Sequence, residues 1–160
     1  MSVATQSNLV NRLVVAIREE IASHRQVLAL LRTQEGAIRQ PAGDSFRGAT
    51  RDLEVELKRC AQRSSLRERA VVALATEFGV ASSAATGGSL AERLGSDGDL
   101  LRAERSALIE VAKEVGQQNR RMATLVRLHR QVTRELIQVV LGPEDGGDVH
   151  AGGSLIDAEV

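Results

Sequence analysis

LRAERSALIEVAKEVGQQNRRMATLVRLHRQVTRELIQVVL, Leu101 to Leu141, is the stretch whose reading decides the fold. It opens after the turn-like GSDGD and stops at Gly142-Pro143, with one glycine (Gly116) and no proline inside. Alternate steps of three and four residues pass through Leu101, Glu104, Leu108, Val111, Val115, Gln118, Met122, Leu125, His129, Val132, Leu136 and Val139. Nine of these twelve are apolar, a heptad-like seam with helical rather than strand periodicity. At 1.5 Å per residue such a helix is roughly 60 Å long. A helix of that length needs other long helices, or a partner, to lie against.

Two further segments supply them. The first has the seam Val10, Val14, Ile17, Ile21, His24, Leu28, Leu31, Glu35 and Ile38, widened by Leu13, Val27 and Leu30 as a core-facing helix requires. Ser7 or Asn8 is its expected cap, and Pro41-Ala42-Gly43 ends it and turns the chain. Asp44 or Ser45 then opens a second helix, with the seam Phe46, Thr50, Leu53, Leu57, Cys60, Ser64, Arg67, Val71, Leu74 and Phe78 and with Gly79 as its stop. The middle of that seam, CAQRSSLRER, is poor in apolar residues, and loose packing or a hydrated layer is expected there. Helices of similar length joined by a short turn fold back as an antiparallel hairpin.

The expected fold is therefore all-α: an elongated antiparallel helical hairpin plus a long amphipathic third helix, coiled-coil-like, with a disordered C-terminal tail. The helices are placed at about 8–40, 45–78 and 99–141 within a helical domain 1–141. A linker, 79–98, is rich in small residues in its first half (VASSAATGGS), and Ser89 with Glu92 reads there as a capping box opening a short turn, LAERL, closed by Gly95. Residues 142–160 form an acidic, Gly-rich tail with one apolar cluster, Ser154-Leu155-Ile156.

Composition narrows the function. The chain has 21 Lys plus Arg and 21 Asp plus Glu. Glu144, Asp145, Asp148, Asp157 and Glu159 give the tail −5, leaving +5 for residues 1–141. The only aromatic residues are Phe46 and Phe78, so the core is expected to be aliphatic, which suits helix–helix packing and argues against base-stacking nucleic-acid surfaces. A single cysteine, Cys60, permits no intramolecular disulfide and suits a reducing cytoplasm. The N-terminus lacks a basic-then-apolar leader pattern, and no apolar run is long enough for a bilayer, so membrane insertion is not expected.

No catalytic, metal or cofactor motif is present. His24 and His129 sit at seam positions, His150 lies in the tail, and neither HExxH nor CxxC occurs. The glycines of ATGGS and EDGGD lack the lysine of a phosphate loop. Arg120, Arg121, Arg127, Arg130 and Arg134 suit a helix C-terminus. Read as spread around the helix, they do not point to nucleic acid. The informative feature is a surplus of apolar residues: Val126, Ile137 and Val140 fall roughly 60–120° from the Leu125–Leu136 seam. A second apolar stripe is what helix-in-groove partners use, although a wide interface gripped by both other helices, or self-association as a homodimer, would use it too.

This pattern resembles the FlgN family of flagellar type III export chaperones. LALLRTQEGAI (Leu28–Ile38) is similar to the family's Leu-rich segment before the first turn, and LRERAVVALATEFGV (Leu66–Val80) to its helix-two ending. GQQNRRMATLVRLHRQVTRELIQVVLG (Gly116–Gly142) resembles its C-terminal helix, Asn119 matching the first Asn of an Asn-x-x-Asn pattern. Met122 replaces the second Asn, and the tyrosine often found near the end of that helix, associated with docking to the export gate, is absent. The resemblance implies a non-enzymatic, cofactor-free cytoplasmic chaperone that binds C-terminal helices of hook-associated proteins. It would prevent their premature assembly and deliver them to gate or ATPase components of the export apparatus. The residues expected to bind partners are Val115, Asn119, Met122, Leu125, Val126, Val132, Leu136, Ile137, Val139 and Val140. The alternative is a coiled-coil adaptor that self-assembles through the third helix.

Overall fold

The computed structural model describes residues 3–38, 43–81, 83 and 85–141, and all regular structure among them is helical. In order the elements are α1 (Val3–Ile38), α2 (Gly43–Glu77), α3 (Gly87–Arg93), a 3-10 turn (Gly95–Gly98) and α4 (Asp99–Leu141). The chain divides into two units, Met1–Val126 and Arg127–Val160. The expected acidic tail, 142–160, lies outside the described residues, as does most of the turn at Pro41-Ala42.

In the first unit α1 and α2 form the expected antiparallel hairpin. Partners run in opposite directions along them: Glu20 meets Arg67, Ser23 meets Glu56, and Gln34 meets Thr50. α4 runs parallel to α1, since Arg18 reaches Glu104 while Glu35 meets Gln118 and Arg121. Helix ends differ from expectation. α1 already begins at Val3, which puts Ser7 and Asn8 inside it. α2 begins at Gly43, so Asp44 sits in the first turn, where its charge favours the helix dipole rather than forming the cap. Gly79 does end α2, at φ 64°. Its N–H bonds to the Thr76 carbonyl and that of Val80 to the Ala75 carbonyl, a Schellman arrangement that only a left-handed residue permits without strain.

Two apolar clusters hold the three long helices. The larger joins Leu13, Val14, Ile17 and Ile21 of α1 to Val71, Leu74 and Ala75 of α2, with Leu90, Ala91 and Leu94 from the α3 corner and Leu101 and Val111 of α4. The smaller joins Val27 and Leu31 to Met122, flanked by Ile38, Leu53, Cys60, Val115 and Leu125. Between them along the hairpin lies the stretch CAQRSSLRER, none of it buried, whose half-buried Arg63 and Arg67 face a layer of polar side chains. Buried Glu20 accepts from Arg67 Nε at 2.6 Å, and buried Glu56 accepts from Ser23 Oγ at 2.5 Å. Arg59 and Arg63 approach Glu56 at 3.4 and 3.6 Å. Among the described residues no buried side-chain polar atom lacks a partner. Leu57, expected on the α2 seam, is exposed, and Glu56 takes the buried place.

The segment 79–98 is structured in its second half. Thr86, not Ser89, caps α3: Ser89 N–H donates to Thr86 Oγ1 and Thr86 N–H to Ser89 Oγ. Both Thr86 and Ser89 carry competent hydroxyls three residues apart, and the earlier one wins because it lets Leu90, Ala91 and Leu94 all reach the core. Arg102 locks the corner by donating to the Ala91 and Gly95 carbonyls, both at 2.8 Å. A Cβ built on Gly98 would collide with the Ala91 carbonyl, so only glycine fits that crossing.

Candidate partner-binding surface

The residues expected to bind partners fall into two groups. In the first unit, Met122 is buried in the smaller cluster, with Val115 and Leu125 packed against it. Val126 is half-buried and Asn119 is exposed. Val115, Met122 and Leu125 thus hold α4 to α1 and α2 in the structure as it stands. Arg121 to Glu35 at 2.8 Å and Gln118 to Glu35 at 2.6 Å border the same contact.

The second unit is different. Every residue from Arg127 to Leu141 is exposed, apolar ones included. Val132, Leu136 and Ile137 are 44%, 59% and 52% exposed, and Val139 and Val140 reach 82% and 78%. Two further exposed apolar residues belong with them, Leu128 and Leu141. Leu128 was legible in principle: at 100° per residue it lies within roughly 40° of Val132 and Val139. On that helical wheel Leu128, Val139, Val132, Leu136 and Val140 share a sector of roughly 120°, with Ile137 on its far flank. Polar side chains satisfy themselves locally, Thr133 Oγ1 donating to the His129 carbonyl and Gln131 to Glu135, both at 2.9 Å. Nothing among these short-range bonds masks the apolar sector.

The basic residues of this unit are not spread evenly, contrary to the expectation from sequence. Arg127, Arg130 and Arg134 fall within roughly 60° of one another, away from the Leu128–Leu136 sector. A shallow depression joins the two characters, lined by His129, Arg130, Thr133, Arg134, Ile137, Gln138 and Leu141.

Other chemistry finds little to stand on. Among the described residues no group of His, Cys, Asp and Glu could hold a metal ion. Cys60 does have a histidine neighbour invisible in the local sequence: its Sγ lies 3.4 Å from His24 Nδ1, which is itself 2.9 Å from the Glu20 carbonyl. Partial burial, then the negative charges of Glu20 and Glu56, push the thiol pKa up. A thiol so placed is a packing residue, not a nucleophile. No helix among the described residues is long and apolar enough to cross a membrane.

A helical arrangement of the described residues that leaves an amphipathic segment uncovered suits a protein that binds another helix. Comparison with known families makes that particular: the FlgN protein family model matches residues 1–148, and the chain belongs to the FlgN family, whose members are flagellar export chaperones. Neither a curated protein nor a solved structure gives a match.

Proposed function

We propose that this chaperone binds the C-terminal helical segments of hook-associated, hook–filament junction proteins in the cytoplasm. It keeps them from assembling early and hands them to gate or ATPase components of the export apparatus. The observation that carries the reading is the solvent-exposed apolar sector of residues 128–140. A junction-protein terminus is an amphipathic helix that coils with its neighbours in the assembled structure. An apolar helical face covers the same side of it, and release needs only that the two part. Val132, Leu136, Ile137, Val139 and Val140 are the direct contacts in this reading. Val115, Asn119, Met122, Leu125 and Val126 extend the surface where α4 loosens from the first unit.

The corner at α3 bears on how much of α4 can move. Swinging the whole helix at that joint would expose Leu90, Ala91, Leu94 and Leu101, all buried. Engagement beginning at residues 127–141 exposes none of them.

Calorimetric titration with the C-terminal segment of a junction protein tests the reading. Binding that Val132→Asp plus Val139→Asp abolishes supports it. Concentration-dependent self-association without cargo binding would favour the adaptor that dimerises through the same seam.

A further inference from the structure

The depression along α4 is lined by two apolar residues, Ile137 and Leu141, and by two arginines, Arg130 and Arg134, beside His129, Thr133 and Gln138. Among the described residues, the ion pairs seen along α4 use Asp99, Arg102, Glu104, Glu110, Lys113 and Arg121 rather than Arg130 or Arg134. The same chain carries, just downstream, a segment of complementary chemistry: Leu155-Ile156-Asp157-Ala158-Glu159, within a tail that has five acids and no Lys or Arg. Two apolar side chains followed by two carboxylates match, read in the opposite direction, two arginines followed by two apolar residues along the helix. The pairing of arginine with carboxylate adds direction to an otherwise non-directional apolar contact.

Reach is not limiting. Leu155 follows Leu141 by fourteen residues, an extended span of up to about 45 Å. The distance back from Leu141 to Arg134 along a helix is only about 10 Å. Gly142, Gly146, Gly147, Gly152 and Gly153 lie in between and permit reversal of direction. A tether of this length holds the tail at a millimolar effective concentration, so even a contact of millimolar strength is occupied half the time or more.

We propose that Leu155–Glu159 docks in cis on the Ile137–Leu141 depression, its carboxylates on Arg130 and Arg134, and that cargo displaces it. This rests on the cargo reading above only for the displacement; the docking stands or falls alone. The tail would then act as an internal competitor for Ile137, the one cargo contact that also lines the depression, on the flank of the apolar sector.

The test uses the full chain with Cys60→Ser and Ser154→Cys, spin-labelled at position 154, and backbone amide relaxation as the readout. Docking predicts broadening of amides 130–141 well above that of the same protein with Leu155→Ser and Ile156→Ser. It also predicts partial loss with Asp157→Asn and Glu159→Gln, and on raising salt, because exposed ion pairs are screened. A profile identical to the Leu155/Ile156 control overturns the proposal. So does broadening that appears only between labelled and unlabelled molecules in a mixture, which would make a second copy the occupant. Adding a junction-protein segment should release the tail, and the Leu155→Ser/Ile156→Ser chain should bind that segment about two- to fivefold more tightly, as expected for a competitor at one to four times its own dissociation constant. Cargo that binds at equal affinity and leaves the broadening intact overturns displacement. Cargo that does not bind at all removes the cargo reading, and the relaxation profile then decides docking by itself.

Discussion

Arg67→Met should be among the most damaging single changes outside the apolar core. Glu20 has only 5% of its side chain exposed, and Arg67 Nε is its ion-pair partner at 2.6 Å. Removing one member of a buried pair costs about 3–5 kcal/mol, because the other charge stays buried and uncompensated. Arg67 keeps 27% exposure, so water can reach Glu20 once the guanidinium is gone, and a cost of about 2–3 kcal/mol is the better expectation. For a chain of this size that lowers Tm by about 4–12 °C. The pair itself is worth much less than its breakage. Glu20→Leu with Arg67→Met, which leaves no orphan charge, should return to within about 1 kcal/mol of the parent. Urea unfolding followed by far-UV circular dichroism reads both values, with an unchanged slope showing that the denatured state is not what altered. An Arg67→Met cost below about 0.5 kcal/mol, or single-mutant costs that simply add in the double mutant, would refute the claim that this polar layer is a coupled, buried network.

Three other outcomes follow from the structure. Gly36→Ala, in the last turn of α1 and facing open space, should stabilise by about 0.5 kcal/mol or less, whereas Gly98→Ala, driven into the Ala91 carbonyl, should destabilise by about 1–3 kcal/mol; thermal melts compare them directly. Val132→Asp and Val139→Asp should leave stability within about 0.5 kcal/mol while weakening cargo tenfold or more, whereas Met122→Asp, buried in the smaller cluster, should unfold that end. Leu125→Asp is a poorer probe of binding, because Leu125 also packs on that cluster. Cys60 should alkylate more slowly than a free thiol at mildly alkaline pH. Its raised pKa also means that folding stability is intact below the ordinary thiol pKa and declines as pH rises through the folded value, a decline that Cys60→Ser should remove in pH-dependent melts.

How much of this was legible depended on whether the deciding contact was local. The α1 seam is buried or half-buried from Val10 to Ile38 as its three-four spacing requires, because periodicity needs only the helix itself. The polar layer was not legible. CAQRSSLRER looks like a weak stretch until Glu20, more than forty residues away, arrives to pair with Arg67, while Ser23 holds Glu56 one turn before it. The α3 cap turned on a choice between Thr86 and Ser89 that only the burial of Leu90 and Leu94 decides. The candidate surface was half legible. The seam through Leu125, Val132, Leu136 and Val139 says which side of α4 is apolar, but the same pattern continues unbroken from covered to uncovered residues. Sequence periodicity marks an apolar face without saying what lies on it.

The most direct test of cargo capture by the end of α4 is amide hydrogen exchange along that helix, with and without the C-terminal segment of a junction protein. Fast exchange at 127–141 is expected in the free protein, with strong slowing there in the complex and little change at 101–118. Equal exchange at 127–141 in both states, with new protection appearing in α1 or α2 instead, would contradict it.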